Sequence, residues 1–530
     1  MQRVVVLFWV LVALVRALET VQVQSGSGPV LGWVKATKLG TRVNIFQGIP
    51  FAKPPVGELR FKKPLPVDPW RDPLEATSWK PRCIQTSFGE GFDEFLKGEQ
   101  SEDCLYLNVI APSQQSSEFP NGYPVMVWVH GGSFIFGGAI EYGVDGLAEN
   151  MATKDVIIVT IQYRLSVFGF FATGDEVSLG NYGLWDMTMA LKWVKENIKH
   201  FGGDPNKITV AGESGGGPAV SSLSISPHSF GSFLPRGREL RTYIFPIGPI
   251  NDGDFFPKDL ETLIRAAPKK STMAGVMDLE GGLWTLQMTP VDLDYMITDE
   301  KNFNLDEFKR KMDIAIKPLN FRQHQLIKKL ILDRYVYSTG EQLRNSTFLV
   351  RQFTEFFGDQ MVTNGVLREN QIRLESGWPV WFYNFEYINH DCFPDTLDFH
   401  GAYHAMELTY LFGFPLFCKP FQFGDNDRKM VQTMTTLWSN FVKYSDPTPE
   451  PVNGVKWLQR SMDHKRRYLN INLDLTMHTT YRLDMEMFWN KLIPELEHME
   501  CVLNNSVLPV TSLFHSLILL IISVYFTFSF

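Results

Sequence analysis

The sequence predicts an α/β fold: a large, mostly parallel twisted sheet flanked by helices. Three observations carry that reading. Val125-Met126-Val127-Trp128-Val129 and Val156-Ile157-Ile158-Val159-Thr160-Ile161 are short and almost wholly apolar, the pattern of strands buried on both faces. Between Leu184 and His200 the apolar residues recur at helical spacing, and the pattern stops before Phe201-Gly202-Gly203-Asp204-Pro205. Ile208-Thr209-Val210-Ala211 then reads as another strand, followed by a glycine-rich turn and a further helix. Strand, helix, strand, turn and helix in this order put helices on both faces of a parallel sheet.

Composition bounds the remaining possibilities. The chain has 530 residues, 44% hydrophobic and 20% charged, which excludes a disordered or collagen-like protein. Length alone suggests three or four domains of roughly 150 residues, although large α/β folds also run long as one. Fifty basic and 58 acidic side chains give a net charge of −8, without the electrostatic footprint of a nucleic-acid binder. Five cysteines are too few for a disulfide scaffold, whereas 41 Phe and 13 Trp supply a large core and an apolar pocket. Internal repeats and low-complexity linkers are not evident, and residues 300–370 read as mainly helical.

The two ends read as address signals. In residues 1–17, Arg3 precedes an apolar run from Val4 to Val15, and Val15-Arg16-Ala17 has the small-x-small form of a signal-peptide cleavage site. A run of 12 is too short to span a bilayer. From Leu513 to Phe530 no residue is charged. Within residues 504–530, Asn504-Asn505-Ser506, a short spacer and this apolar tail resemble a GPI-attachment signal; a single tail-end membrane helix is the alternative. Both place the body in the secretory pathway, extracellular and attached to the cell surface.

Gly212-Glu213-Ser214-Gly215-Gly216 fits G-x-S-x-G, where a nucleophilic serine sits on a sharp strand-to-helix turn with its Oγ exposed. A strand enters the motif and Pro218 is tolerable near the start of the helix that leaves it. Side chains at Gly212 and Gly216 would clash with the packed backbone. His130-Gly131-Gly132-Ser133-Phe134 follows the strand at 125–129. Backbone N–H groups of Gly131, Gly132 and Gly215 are the expected oxyanion hole, with His130 a packed loop residue.

Here the chain resembles the type-B carboxylesterase/cholinesterase family. The stretch from Gly180-Asn181-Tyr182-Gly183-Leu184 through Gly216 is similar to it almost residue for residue. Glu102-Asp103-Cys104-Leu105-Tyr106-Leu107-Asn108, Phe46-Gln47-Gly48-Ile49-Pro50 and Tyr163-Arg164-Leu165 also match. The resemblance spans roughly residues 22–490 and implies one α/β-hydrolase domain over 18–500. It implies Glu280 as the acid, with Asp278 the local rival, and His404 as the base, with His400 the competitor. It further implies a Cys83–Cys104 disulfide and structural salt bridges Arg60–Glu102 and Arg164–Asp186. Cys392, Cys418 and Cys501 are left unassigned, and Asn345 and Asn504 head glycosylation sequons.

Two departures qualify the likeness. No tryptophan lies between Cys83 and Cys104, where cholinesterases bind the choline cation; Phe88, Phe92 and Phe95 stand there instead, which favours a general carboxylesterase. The interval from Ser214 to Glu280 is roughly half what a fold of this order uses. Ser226-Pro227-His228 runs almost directly into Asn251-Asp252-Gly253, as if the core strand after the nucleophile elbow were lacking. Tyr243-Ile244-Phe245-Pro246-Ile247 is a candidate replacement, although Pro246 suits an edge. The expectation is a secreted or surface-anchored serine esterase acting through an acyl-enzyme, without metal or organic cofactor. The alternatives are a weak or inactive neuroligin-like adhesion ectodomain, or a truncated carboxylesterase isoform. The partner is a small ester, with no nucleic acid and membrane contact through the tail; oligomeric state is not legible.

Overall fold

A computed structural model of the chain describes residues 19–85, 98–229, 248–286, 294–338, 345–395, 397–413, 415 and 419–498. Ten strands form the N-terminal part: β1 (Thr20–Gln24), β2 (Pro29–Ala36), β3 (Arg42–Pro50), β4 (Leu74–Glu75), β5 (Arg82–Cys83), β6 (Gln100–Ser101), β7 (Tyr106–Pro112), β8 (Tyr123–Val129), β9 (Ile157–Ile161) and β10 (Gly203–Gly212). Eight of them make one sheet in the order β1-β2-β3-β7-β9-β8-β10, with β4 beside β2; β5 and β6 pair separately. A second sheet contains β11 (Thr272–Met277), β12 (Val380–Phe385), β13 (Tyr468–Ile471) and β14 (Thr476–His478) in sequence order.

The expected parallel sheet is present where the candidate site is built. β9, β8 and β10 run parallel, as do β11, β12 and β13. The β1-β2-β3-β7-β9 side is antiparallel; β1, β2 and β3 follow one another through short connections with no helix between them.

Alternation explains the core. Along β8, Val125, Val127 and Val129 face one cluster while Met126 and Trp128 face another. On the first face lie Leu184, Met187, Ala190, Leu191 and Val194 of the helix Tyr182–Asn197, and Ala219 and Leu223 of Gly216–Leu223. The second face is covered by Met430, Met434, Leu437 and Phe441 of the helix Asp425–Tyr444. Helices Leu305–Ile316, His324–Leu332, Ser346–Gly358 and Asn364–Glu375 occupy the stretch read as helical, and the first three wrap a third cluster around Val276 of β11. Both implied salt bridges form. Arg164 makes a bidentate contact with the wholly buried Asp186, and the partly exposed Arg60 pairs with Glu102.

The two sheets do not join among the described residues. β10 pairs only with β8, and β11 only with β12. Residues 208–212 and 272–275 are half-buried, whereas every residue of β8, β9 and β12 is buried. Among the described residues, neither the edge of β10 away from β8 nor the edge of β11 away from β12 has a strand partner. Residues 230–247, with Tyr243-Ile244-Phe245-Pro246-Ile247, lie outside the described residues, as do 1–17 and 504–530 with Asn504.

Candidate active site

The turn after β10 has the geometry the motif requires. Ser214 has φ +52, a left-handed conformation that a non-glycine residue adopts at a cost. Packing holds it there. A Cβ on Gly212 would sit 2.7 Å from Gly216 O, and one on Gly216 only 2.2 Å from Val129 O. The helix Gly216–Leu223 leaves the turn directly.

The loop after β8 meets this turn backbone to backbone. A Cβ on Gly131 would lie 2.9 Å from Ser214 Cβ, and one on Gly215 would lie 2.9 Å from Ser133 N. Gly131 is thus brought against Ser214, and Gly215 against the loop after β8, whereas a Cβ on Gly132 would meet Phe136. His130 points away from it: its ring stacks on Tyr163 and Nδ1 donates to Gly131 O at 2.9 Å. Burial pushes this imidazole down to about 4, which leaves it neutral, as expected for a packed loop residue.

Glu280 follows β11 and His404 lies in the loop after β12, its parallel neighbour, so the two meet beyond the C-terminal ends of adjacent strands. His404 Nδ1 lies 2.6 Å from Glu280 Oε2, and Glu280 Oε1 accepts the Met277 N–H at 2.8 Å. Backbone bonds zip the two loops together: Leu279 N donates to Ala402 O and Asp278 N to Phe385 O. The rivals lie elsewhere. No described hydrogen bond or ion pair joins Asp278 to His404; His400 Nε2 donates to Leu397 O while its Nδ1 faces His390 Nδ1 at 2.9 Å. A small cavity lined by Glu300, Lys301, Leu397 and Asp398 contains none of the expected site residues.

His404 Nε2 is less simply placed. It lies 3.2 Å from Glu213 Oε1, at an angle that falls short of a hydrogen bond, and no hydrogen bond links it to Ser214 among the described residues. Burial opposes charge on the ring, but Glu280 and Glu213 outweigh it and push the imidazole up to about 10. Glu407, three residues on, is also buried. Desolvation, aided by the charges of Glu213 and Glu280, pushes its carboxyl up to about 8.

This constellation spans four separate stretches of one sequence, and the profile of the carboxylesterase family matches that sequence over residues 18–235 and 237–489. The chain belongs to the carboxylesterase family. The break in the match falls at residue 236, inside the shortened stretch. Among its relatives, "Esterase cest-33" of Caenorhabditis elegans is 34% identical over 81% of this chain and 86% of its own length. The "Pyrethroid hydrolase Ces2e" of Rattus norvegicus is 31% identical over 87% of each chain. A "Fatty acyl-CoA hydrolase precursor, medium chain" of Anas platyrhynchos is 31% identical over 92% of this chain and 95% of its own. That last alignment runs over 558 positions, longer than the 530 residues here, so this relative carries material that the present chain lacks.

The implied disulfide joins Cys83 and Cys104, with Cα atoms 5.0 Å apart. Cys392 is also disulfide-bonded, while Cys418 and Cys501 lie outside the described residues, as do Phe88, Phe92 and Phe95. Asn345 is exposed and accepts the Phe348 N–H at 2.9 Å as a helix cap. Sequence reasoning missed Glu213, Glu407 and Trp284, whose ring lies 4.5 Å from that of His404. Glu213 carried a signal, being the variable residue inside the elbow motif. Glu407 and Trp284 carried none, since their roles depend on what folds against them.

Proposed function

We propose that this carboxylesterase-family chain is a serine hydrolase of carboxylic esters that works through an acyl-enzyme. The observation that carries the reading is the strained Ser214 turn, backed by Gly131 and Gly215, in the same cluster as the buried Glu280–His404 pair. Ser214 Oγ attacks the acyl carbon and its proton passes to His404 Nε2. Backbone N–H groups of Gly131, Gly132 and Gly215 stabilise the oxyanion of the tetrahedral intermediate. The alcohol leaves with the proton from His404, and a water activated by the same imidazole releases the acid. Glu280 fixes the ring tautomer and stabilises the imidazolium. No metal or organic cofactor is assigned.

The test is Ser214→Ala against wild type, read by turnover of a short aryl ester and by labelling with a fluorophosphonate probe. Loss of labelling and a fall of several orders of magnitude in turnover are expected. Wild-type-like activity in the variant overturns the nucleophile. A catalytically weak, neuroligin-like member is the second reading, favoured by the missing hydrogen bond between Ser214 and His404; its signature is a wild-type chain that the probe does not label.

The body is proposed to be one hydrolase domain over residues 18–500, outside the cell and attached to its surface. The Cys83–Cys104 bond suits an oxidising compartment. No helix among the described residues is long and apolar enough to cross a membrane. Attachment is proposed through the tail at 504–530, read from its sequence as a GPI signal. Release by phosphatidylinositol-specific phospholipase C tests it; retention after treatment favours a spanning tail helix.

A further inference from the structure

A general base needs a free lone pair aimed at the proton it removes. Here carboxylates flank both nitrogens of the His404 ring: Glu280 Oε2 is hydrogen-bonded at 2.6 Å from Nδ1, and Glu213 Oε1 lies at ion-pair distance, 3.2 Å from Nε2. Side-chain exposure is 4% for Glu280, 8% for Glu213 and 9% for His404, so water screens these contacts little. Room for the Glu213 carboxylate comes from Gly131, where a Cβ would lie 2.5 Å from Oε2.

We propose that Glu213 is a positioning residue that competes with Ser214 for Nε2 of His404, so that the resting site is latched with its base engaged. This rests on the reading of Ser214, Glu280 and His404 given above, and adds a regulator of the same site. Two carboxylates at the two ring nitrogens favour the imidazolium, in which both nitrogens are donors and neither can accept. The upward displacement of this imidazole has the same sign. For acylation the Nε2 proton must first pass to water, after which the exposed lone pair can take the proton from Ser214 Oγ. The contact then reverses its effect, because the imidazolium formed during attack is again stabilised by Glu213.

The other titratable groups facing this cluster do not release the latch. Burial and the charges of Glu213 and Glu280 hold Glu407 largely protonated at neutral pH. Burial likewise holds Tyr142, Tyr163 and Tyr383 well above the ordinary phenol range, so they stay neutral. Trp284 flanks the ring without charge. His404 is the only cation that forms an ion pair with Glu213 among the described residues.

The test is the pH dependence of fluorophosphonate labelling in wild type, Glu213→Gln and Glu213→Asp. In that reaction the Oγ–P bond forms, the P–F bond breaks, fluoride leaves and the Oγ proton passes to Nε2. The acid limb of wild type is expected at least about one pH unit above that of Glu213→Gln. Glu213→Asp should fall between them, and Glu213→Gln should label faster than wild type near pH 7. Equal midpoints, with Glu213→Gln merely slower at every pH, overturn the latch. Should Glu213→Gln fail to fold, a wild-type acid limb at or below about 6.5, the ordinary imidazole value, overturns it equally. The NMR titration of the His404 ring, identified by its loss in His404→Asn, reads the latch without catalysis. A ring pKa unchanged by Glu213→Gln overturns the proposal. If no protein labels at any pH, the Ser214 reading falls, and the ring titration alone decides the latch.

Discussion

His404 Nδ1 and Glu280 Oε2 lie 2.6 Å apart although 124 residues separate them in sequence. Glu280 is fixed in turn by the Met277 N–H, so neither partner of the pair is free to turn. Glu280→Gln can place an amide N–H where the carboxylate accepted, which favours the wrong imidazole tautomer. A fall in kcat of roughly 10⁴-fold is expected, by analogy with the loss of the acid in other catalytic triads. Hydrolysis of p-nitrophenyl butyrate measures it, and a drop of less than about tenfold would remove Glu280 from the role.

Gly216 should tolerate no side chain. Its Cβ would lie 2.2 Å from Val129 O and 3.0 Å from His130 O, backbone atoms of a central strand and the loop after it. Gly216→Ala is expected to cost about 1–3 kcal/mol of stability and to lower activity with it. Gly217→Ala is the control, since its Cβ meets nothing nearer than 3.9 Å. Thermal melts of both variants check the pair; equal melting temperatures would contradict the packing argument.

The buried Glu407 carboxyl gives stability a pH dependence whose sign is fixed. Its pKa is about 8 in the fold against 4.5 as the ordinary value. The folded chain therefore keeps a proton that the unfolded chain has already released, and stability falls as pH rises between those values. Glu407→Gln cannot titrate. The melting temperature of the variant relative to wild type should climb from about pH 5 to about pH 8 and level off above that. Parallel melting curves across this range would rule the effect out.

The short stretch after Ser214, with the edges of β10 and β11 unpaired among the described residues, predicts a defect in the chain as written. Unpaired N–H and C=O groups cost about 1–3 kcal/mol each when buried, and less on half-buried edges such as 208–212 and 272–275. A domain's net stability is only about 5–15 kcal/mol, so even a partial cost of this kind lowers it measurably. Inserting a family-like segment between Leu240 and Arg241 should raise soluble yield and fluorophosphonate labelling together. Equal yield and equal labelling with and without the insert would show the short stretch to be harmless.

Much of this was legible in the order of residues. Strands at 125–129 and 157–161 were readable because burial on both faces demands unbroken apolar runs. The helix Tyr182–Asn197 was readable because one face must be apolar at every third or fourth position. The elbow was readable because only glycine fits beside a backbone as close as that of Val129. The shortened stretch was visible as a length between two recognisable flanks, and among the described residues β10 and β11 belong to separate sheets. Resemblance, not periodicity, pointed to Glu280 and His404, since a lone carboxylate and a lone imidazole have no local signature.

What the sequence determined by itself was therefore local or family-wide: apolar periods, glycines where backbones touch, and motifs that match a family. Tertiary structure alone decided which charges share one dry space. Glu213, Glu280, His404 and Glu407 come from three separate stretches of chain and meet only when β10, β11 and the histidine loop converge. Whether His404 rests as a base or as an imidazolium depends on distances of 2.6 and 3.2 Å and on the exclusion of water. Coulomb interactions are set by separation and screening in space, and neither quantity is written in the spacing of residues along a chain.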